Sequence, residues 1–146
     1  MLALKDITQA LGGQKLLGKK LESPLDVADL ILQGLPSKSV FFLQKLLGLG
    51  DDEYAQTLGV SVKTLGRYRK EPKAHLDSNV SDRLYRIARI FKLAEEVLED
   101  RDAANEWLHL AQTALSERNP LGLMRTEAGA KEVEELLYRI EYGLYS

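Results

Sequence analysis

The chain has 146 residues, a net charge of −2 at neutral pH and 45% hydrophobic residues, which suits one globular domain or two small helical ones. It contains no cysteine; this excludes disulfides, zinc–thiolate sites and cysteine nucleophiles, and it favours a reducing, cytoplasmic location. Residues 1–20 lack the apolar core of a signal peptide, and no stretch reaches the about 20 apolar residues of a membrane helix. A membrane role is therefore not expected.

The charges are unevenly distributed along the chain. Residues 61–92 hold nine basic and three acidic residues, whereas residues 101–146 hold five basic and eight acidic ones. A polyanionic partner should therefore meet the middle of the chain and not its end. The alternative explanation of such a basic run is a solvated helix face.

Apolar residues recur at three- and four-residue spacing nearly throughout the chain, which predicts an all-α protein. The first helical section breaks at Gly12-Gly13. The next begins at Ser23-Pro24, where serine caps the helix and proline occupies its first turn, and it ends at Gly34. A further helix opens at Pro36 and ends at Gly48.

Several further helices are expected in the second half of the chain. Residues 71–80 have the proline and polar residues of a connector, and Ser81 is predicted to cap the long helix that follows. Another helix is predicted over about 102–115. Asn119-Pro120 and Thr126-Glu127 each combine a capping side chain with a suitable first-turn residue, so a short helix and the last helix should begin there.

The stretch DDEYAQTLGVSVKTLGRYRK, residues 51–70, has the spacing of a helix-turn-helix motif. Ala55 is small where the two helices cross, and Gly59 supplies the turn before a second helix that begins at Ser61. Such a helix fits the major groove of DNA with its N-terminal residues toward the base edges. The residues expected to form its polar, basic, DNA-binding side are Ser61, Lys63, Thr64, Arg67, Tyr68, Arg69 and Lys70.

These residue types suit nucleic acid, although each has an alternative role. Ser61 and Thr64 can cap their helix or hydrogen-bond a phosphate, and an arginine can neutralise a phosphate or read guanine. Three arginines beyond the motif could extend the basic surface: Arg83, Arg86 and Arg89. Their alternative is solvated surface or intrachain pairing with Glu95, Glu96 and Glu99. For the motif as a whole, the alternative is a purely structural helical hairpin.

Three parts of the chain together carry a family resemblance: GLPSKSVFFLQKLLGLGDDEYAQTLGVSVKTLGR, then SDRLYRIARIFKLAEEVLED with the later EWL, and finally NPLGLMRTEAGAKEVEELLYRIEYGLYS. They closely resemble the Xre-type antitoxins of bacterial RES-Xre toxin-antitoxin pairs, also called the ParS or MbcA-like antitoxin family. The resemblance covers roughly residues 20–146. Its most specific element is the order of Asn119-Pro120-Leu121, Arg125-Thr126-Glu127, Gly129 and the run from Arg139 to Gly143.

The resemblance implies a Cro/repressor-like DNA-binding domain over residues 1–100, with the helix-turn-helix at about 51–70, and a small helical toxin-binding domain over residues 101–146. It implies that the partner is a RES-domain toxin that degrades NAD⁺ and whose active site the antitoxin obstructs. It also implies a homodimer, within a toxin-antitoxin hetero-oligomer, that binds operator DNA and represses its own operon.

The toxin contact is expected in the C-terminal domain. Its candidate residues are Arg125, Glu127, Arg139, Tyr142, Leu144, Tyr145 and Ser146. Arginine can bind a partner's carboxylate bidentately, and tyrosine suits an interface. Arg125 and Arg139 could instead pair with a nearby glutamate, and the residues after Gly143 could simply dock on their own domain.

No catalytic, metal or cofactor site is expected. His75 and His109 lack cysteines or suitably spaced carboxylates, and Gly12-Gly13 lacks the strand and GK[ST] sequence of a phosphate loop. Trp107 lies in an apolar helix face and is expected in the core. The competing function is a stand-alone transcriptional regulator whose C-terminal domain serves dimerisation or another ligand. A RES-type reading frame beside the gene would favour the antitoxin.

Overall fold

The computed structural model describes residues 2–143 and confirms the all-α class, because no β-strand occurs in that range. Its helices are α1 Leu4–Ala10, α2 Gln14–Leu17, α3 Pro24–Gln33, α4 Ser37–Leu47, α5 Asp51–Leu58, α6 Val62–Lys70, α7 Ser78–Leu98, α8 Arg101–His109, α9 Pro120–Leu123 and α10 Glu127–Glu141. A 3₁₀ turn, Thr113–Leu115, lies between α8 and α9. No helix of the described chain is long and apolar enough to cross a membrane.

Three of the expected helix starts are confirmed by their hydrogen bonds. Ser23 caps α3 and forms a capping box with Asp26, with proline in the first turn. The Asn119 side chain accepts from the Gly122 N–H at 2.7 Å at the start of α9. Thr126 caps α10 in the same way. Each side-chain oxygen satisfies a backbone N–H that the first helical turn leaves without a partner.

The expected role of Ser81 is wrong. Helix α7 begins earlier, at Ser78, and its cap is Asp77, which accepts from the Val80 N–H at 2.8 Å. Ser81 is buried inside α7, where its hydroxyl accepts a hydrogen bond from the Leu35 N–H at 2.9 Å. This serine therefore satisfies a buried donor 46 residues away in the sequence.

The helix expected over 102–115 is also wrong in extent. Helix α8 ends at His109, and the chain then folds back so that the Gln112 N–H donates to the Arg118 carbonyl at 3.0 Å. Ser116 and Glu117 both have left-handed backbone angles in this turn. Trp107 is half-buried and packs against the core, in agreement with its apolar setting.

The long helix α7 is the central element of the fold. It packs against α1, α3, α4, α5, α8 and α10. Its fully buried side chains include Leu84, Ile87, Ile90 and Phe91. Because one apolar helix supports both the helix-turn-helix and the C-terminal helices, the two halves share a continuous core.

Candidate functional site

Helices α5 and α6 form the helix-turn-helix as expected. Gly59 adopts a left-handed conformation (φ +77°) between them, and the Thr64 N–H donates to the Ser61 hydroxyl at 3.0 Å, which caps α6. Ala55 and Leu65 are buried between the helices. The left-handed backbone angle favours glycine at position 59, and a Cβ there would stand 3.1 Å from the Arg83 Nε, a tight contact.

One face of α6 is basic and exposed. Lys63, Arg67 and Lys70 are exposed and line a single shallow depression, because residues three, four and seven apart share a helix face. Within residues 2–143 none of the three forms an ion pair with a carboxylate. Their charge is therefore available to an anionic ligand.

Tyr68 lies on the other side of α6. It is only 8% exposed, so its expected place on the exposed side of the helix is wrong. Leu65, three residues earlier, is on the same buried face. Burial raises the pKa of the Tyr68 phenol, and the Arg67 guanidinium lies over the ring, 5.7 Å from its centroid.

Arg69 is occupied by contacts inside the motif. Its Nη1 and Nη2 donate to the two carboxylate oxygens of Asp51 at 2.9 and 2.6 Å, and Nη2 also donates to Gln44 at 3.3 Å. The guanidinium lies over the Phe41 ring, 4.7 Å from its centroid. The hydrogen bonds from Arg69 and Gln44 lower the pKa of Asp51 to about 2. Arg69 thus ties the last turn of α6 to α4 and to the start of α5.

The other arginines of the basic region face the C-terminal helix. The Arg86 side chain is 10% exposed; its Nε donates to Glu127 at 2.8 Å and its Nη2 to Asp82 at 2.9 Å. Arg89 lies 3.0 Å from Glu134. Intrachain pairing is therefore correct for Arg86 and Arg89, but the expected partners are wrong.

One of the expected glutamates, Glu95, belongs to a different contact. Glu95 pairs with Lys92 at 2.6 Å and with Arg101 at 2.9 Å. Arg83, the third arginine of the series, is half-buried against Gly59. Its Nε is buried and has no hydrogen-bond acceptor in the part of the chain that the structure describes.

Two of the expected toxin-binding residues, Arg139 and Tyr142, lie at the C-terminal end of α10, together with Tyr138, which was not among the candidate residues. Tyr138 and Tyr142 are 40% and 70% exposed, which is unusual for large aromatic side chains. Arg139, which lies between them in the sequence, is half-buried. Gly143 takes a left-handed conformation after the helix, as expected. The remaining candidates Leu144, Tyr145 and Ser146 lie outside the described residues.

Two candidates precede this surface. Glu127 is the partner of Arg86 and joins α10 to α7. Arg125 is exposed and borders the turn of the helix-turn-helix, a position that the sequence did not suggest. The sequence also missed the Asp51–Arg69 contact, because the partners are 18 residues apart and nothing local relates them.

The histidines have ordinary contacts. His75 Nδ1 lies 2.9 Å from the Gly34 carbonyl oxygen, and His109 Nε2 lies 3.6 Å from a Glu53 carboxylate oxygen. Within residues 2–143 no group of three histidine, aspartate or glutamate side chains is arranged to hold a metal ion.

Comparison with known proteins matches the two halves of this structure separately. Residues 26–89 match the antitoxin Xre-like helix-turn-helix domain, and residues 93–143 match the C-terminal toxin-binding domain of the Xre/MbcA/ParS antitoxins. The chain belongs to this antitoxin family. The two matches meet inside α7, which carries residues of both; the division expected at residue 100 stays a prediction.

Curated relatives carry the name antitoxin Xre. The protein of Photorhabdus laumondii is 28% identical over 115 residues, which cover 78% of this chain and 77% of the relative. That of Pseudomonas putida is 33% identical over 84 residues, covering 58% of this chain and 52% of the relative. That of Yersinia enterocolitica is 30% identical over 95 residues, covering 64% of each. The aligned segments thus span between half and three quarters of these relatives.

Proposed function

We propose that the chain is the antitoxin of a type II toxin-antitoxin pair, without catalytic activity or a cofactor of its own. It binds a RES-domain toxin and obstructs the active site at which that toxin degrades NAD⁺. It also binds operator DNA in the cytoplasm and represses its own operon. It forms a homodimer, which assembles with the toxin into a hetero-oligomer. One observation carries the proposal: α7 joins a helix-turn-helix to a domain that matches toxin-binding domains, and the helix-turn-helix has a basic face without ion pairs in the described residues.

The DNA contact is assigned to α6 and its N-terminus. Lys63, Arg67 and Lys70 offer three cationic groups on one helix face, and each neutralised phosphate releases bound counterions. Ser61 and Thr64 stand at the N-terminal end, which in such motifs points toward the base edges. Tyr68 supports this face by packing in the core, and Arg69 supports it from the surface through its contact with Asp51.

The toxin contact is assigned to the outer side of α10. Tyr138 and Tyr142 provide apolar area with hydroxyl tips, and the half-buried Arg139, next to Tyr138 in the sequence, provides a planar donor for a carboxylate. Aromatic residues and arginine are enriched in the centre of protein interfaces. Leu144, Tyr145 and Ser146 stay candidates for the same toxin contact.

Co-expression tests the antitoxin function. The chain is expressed together with a RES-domain protein encoded beside its gene, and growth and cellular NAD⁺ are measured. The proposal expects the toxin alone to deplete NAD⁺ and arrest growth, and the pair to restore both. Unaltered toxicity in the presence of a folded chain would contradict it. DNA binding without any protection would instead identify a stand-alone transcriptional regulator.

A further inference from the structure

An arginine of the C-terminal domain reaches the DNA-binding motif. Arg125 lies between α9 and α10, inside the segment matched to toxin binding. It nevertheless lines one surface depression together with Gly59, Ser61 and Val62. These residues form the turn of the helix-turn-helix and the start of α6, so the side chain borders the end of the recognition helix that faces the bases in DNA-binding motifs.

The Arg125 guanidinium is available to an outside ligand. The side chain is exposed, and within residues 2–143 it forms no ion pair or hydrogen bond. Asp52 is the carboxylate that shares the depression, and it is not within ion-pair distance of Arg125. A guanidinium presents several donors in a fixed plane that matches two phosphate oxygens. The N-terminal end of α6 adds partial positive charge beside it.

The segment that carries Arg125 is held in place on both sides. Glu127, two residues later, accepts from the buried Arg86 of α7 at 2.8 Å. Gly129 packs so closely on α9 that a Cβ there would stand 2.1 Å from the Leu123 carbonyl oxygen. The Thr126 hydroxyl accepts from the Gly129 N–H at 3.0 Å, which fixes the backbone at the start of α10. The backbone at Arg125 would therefore lose little conformational freedom when the side chain binds a ligand.

We propose that Arg125 contacts a DNA phosphate beside the N-terminus of α6, so that the C-terminal domain forms part of the DNA-binding surface. The assignment rests on the proposed DNA binding by α6. Phosphate contacts at the rim of a recognition helix set its register on the duplex. Arg125 thereby moves from the toxin contact, where the sequence placed it, to the operator contact.

The experiment measures affinity of the full chain for the DNA directly upstream of its own gene, by fluorescence anisotropy between about 50 and 200 mM salt. Arg125→Ala is expected to lower affinity on the order of 10-fold at about 0.1 M salt and to reduce the slope of log affinity against log salt by about one. Arg125→Lys should keep the wild-type slope, because it keeps the charge. Arg118→Ala is the matched control: it removes an exposed arginine of the same domain that does not line the depression.

The proposal also expects Arg125→Ala to protect against the toxin as well as the wild type does and to keep the wild-type melting temperature. It is overturned if Arg125→Ala keeps the wild-type slope while Arg67→Ala loses slope, a result that leaves DNA binding by α6 intact. It is also overturned if Arg118→Ala loses as much affinity as Arg125→Ala, or if Arg125→Lys is as weak as Arg125→Ala. Failure of the wild-type chain to bind the fragment would instead remove the proposed operator function itself.

Discussion

Two arginines of α6, only two residues apart, have different surroundings. Arg67 is exposed on the basic face, whereas Arg69 is bound to Asp51 and Gln44 and lies over Phe41. Sequence alone assigns both to the DNA-binding side because they share a residue type and a helix. Their difference comes from α4 and α5, which supply all three partners of Arg69 and none to Arg67. One arginine is therefore available to DNA and the other maintains the shape of the motif.

The Asp51–Arg69 contact predicts a particular pH dependence of stability. Its hydrogen bonds lower the pKa of Asp51 from 3.8 to about 2 in the folded chain. The contact therefore stabilises the fold fully above about pH 4, and this contribution is lost as the pH falls toward 2. We expect Asp51→Asn to lower the melting temperature at neutral pH and the difference from wild type to shrink below about pH 4.

The neighbouring substitution Asp52→Asn is the control for that measurement. Asp52 stands in the same first turn of α5 but forms no ion pair in the described chain, so both changes remove the same favourable interaction with the helix dipole. Asp51→Asn should have the larger effect at neutral pH. Equal melting temperatures for the two variants across the pH range would show that Arg69 contributes nothing to stability through Asp51.

At the scale of elements, ion pairs between α7 and α10 join the two matched domains. Arg86 is the most buried charged residue of these pairs and contacts Glu127 of α10 and Asp82 of its own helix. We expect Arg86→Ala to lower the free energy of unfolding by about 1 to 3 kcal/mol, through lost packing of the stem as well as lost pairing. Arg101→Ala, which removes a largely exposed partner of Glu95, should cost less than about 1 kcal/mol.

A double-mutant cycle separates the pair from the packing. Glu127→Gln removes the charge on α10 and leaves the Arg86 stem in place. If the contact couples the helices, the effects of Arg86→Ala and Glu127→Gln measured by denaturant unfolding will not add. Full additivity would mean that the Arg86–Glu127 contact does not couple α7 to α10.

The close approach of α9 and α10 depends on Gly129. Because a Cβ at this position would stand 2.1 Å from a backbone oxygen of Leu123, Gly129→Ala requires the helices to move apart. We expect a loss of about 1 to 3 kcal/mol in the free energy of unfolding. Gly66→Ala provides the contrast: Gly66 is helical and has open space around it, so this change should stabilise the chain by about 0.4 to 1 kcal/mol. If Gly66→Ala destabilises the chain, or if Gly129→Ala does not, the close contact at Gly129 and the open space at Gly66 would be contradicted.

The elements that the sequence predicted correctly are those with local signals. Ser23 with Pro24, Asn119 with Pro120, and Thr126 each mark a helix start by chemistry confined to one turn. The prediction for Ser81 was wrong because its hydroxyl accepts from the Leu35 N–H, and only folding brings these two residues together. No glycine or proline directly follows His109 to indicate that α8 ends there.

At the scale of the candidate site, composition and spacing located the motif but not its contacts. The basic region from 61 to 92 was visible in the sequence. The sequence did not show which of these basic residues are paired within the chain. Arg86 and Arg89 pair with Glu127 and Glu134, which lie on a helix about 40 residues later. Such pairing depends on how α10 packs on α7, which no short-range pattern contains.

Across the whole molecule, α7 places two different surfaces on one rigid core. The basic face of α6 and the tyrosines of α10 are both attached to this helix, the first through α5 and the second directly. Because the surfaces lie on different elements, substitutions confined to one of them should leave the other intact. A single chain can therefore hold DNA and a protein partner through separate residues.

The separation of the two surfaces is tested by measuring toxin protection and repression for two variants in one host strain. Arg67→Ala and Tyr142→Ala are each co-expressed with the toxin to record growth protection, and each is expressed without the toxin to record repression of a reporter fused to the upstream DNA. Arg67→Ala should lose repression and protect fully, because only the basic face of α6 is changed; Tyr142→Ala should repress fully and lose protection, because only the outer side of α10 is changed. Loss of both activities in either variant, with an unchanged melting temperature, would contradict the separation of the two surfaces.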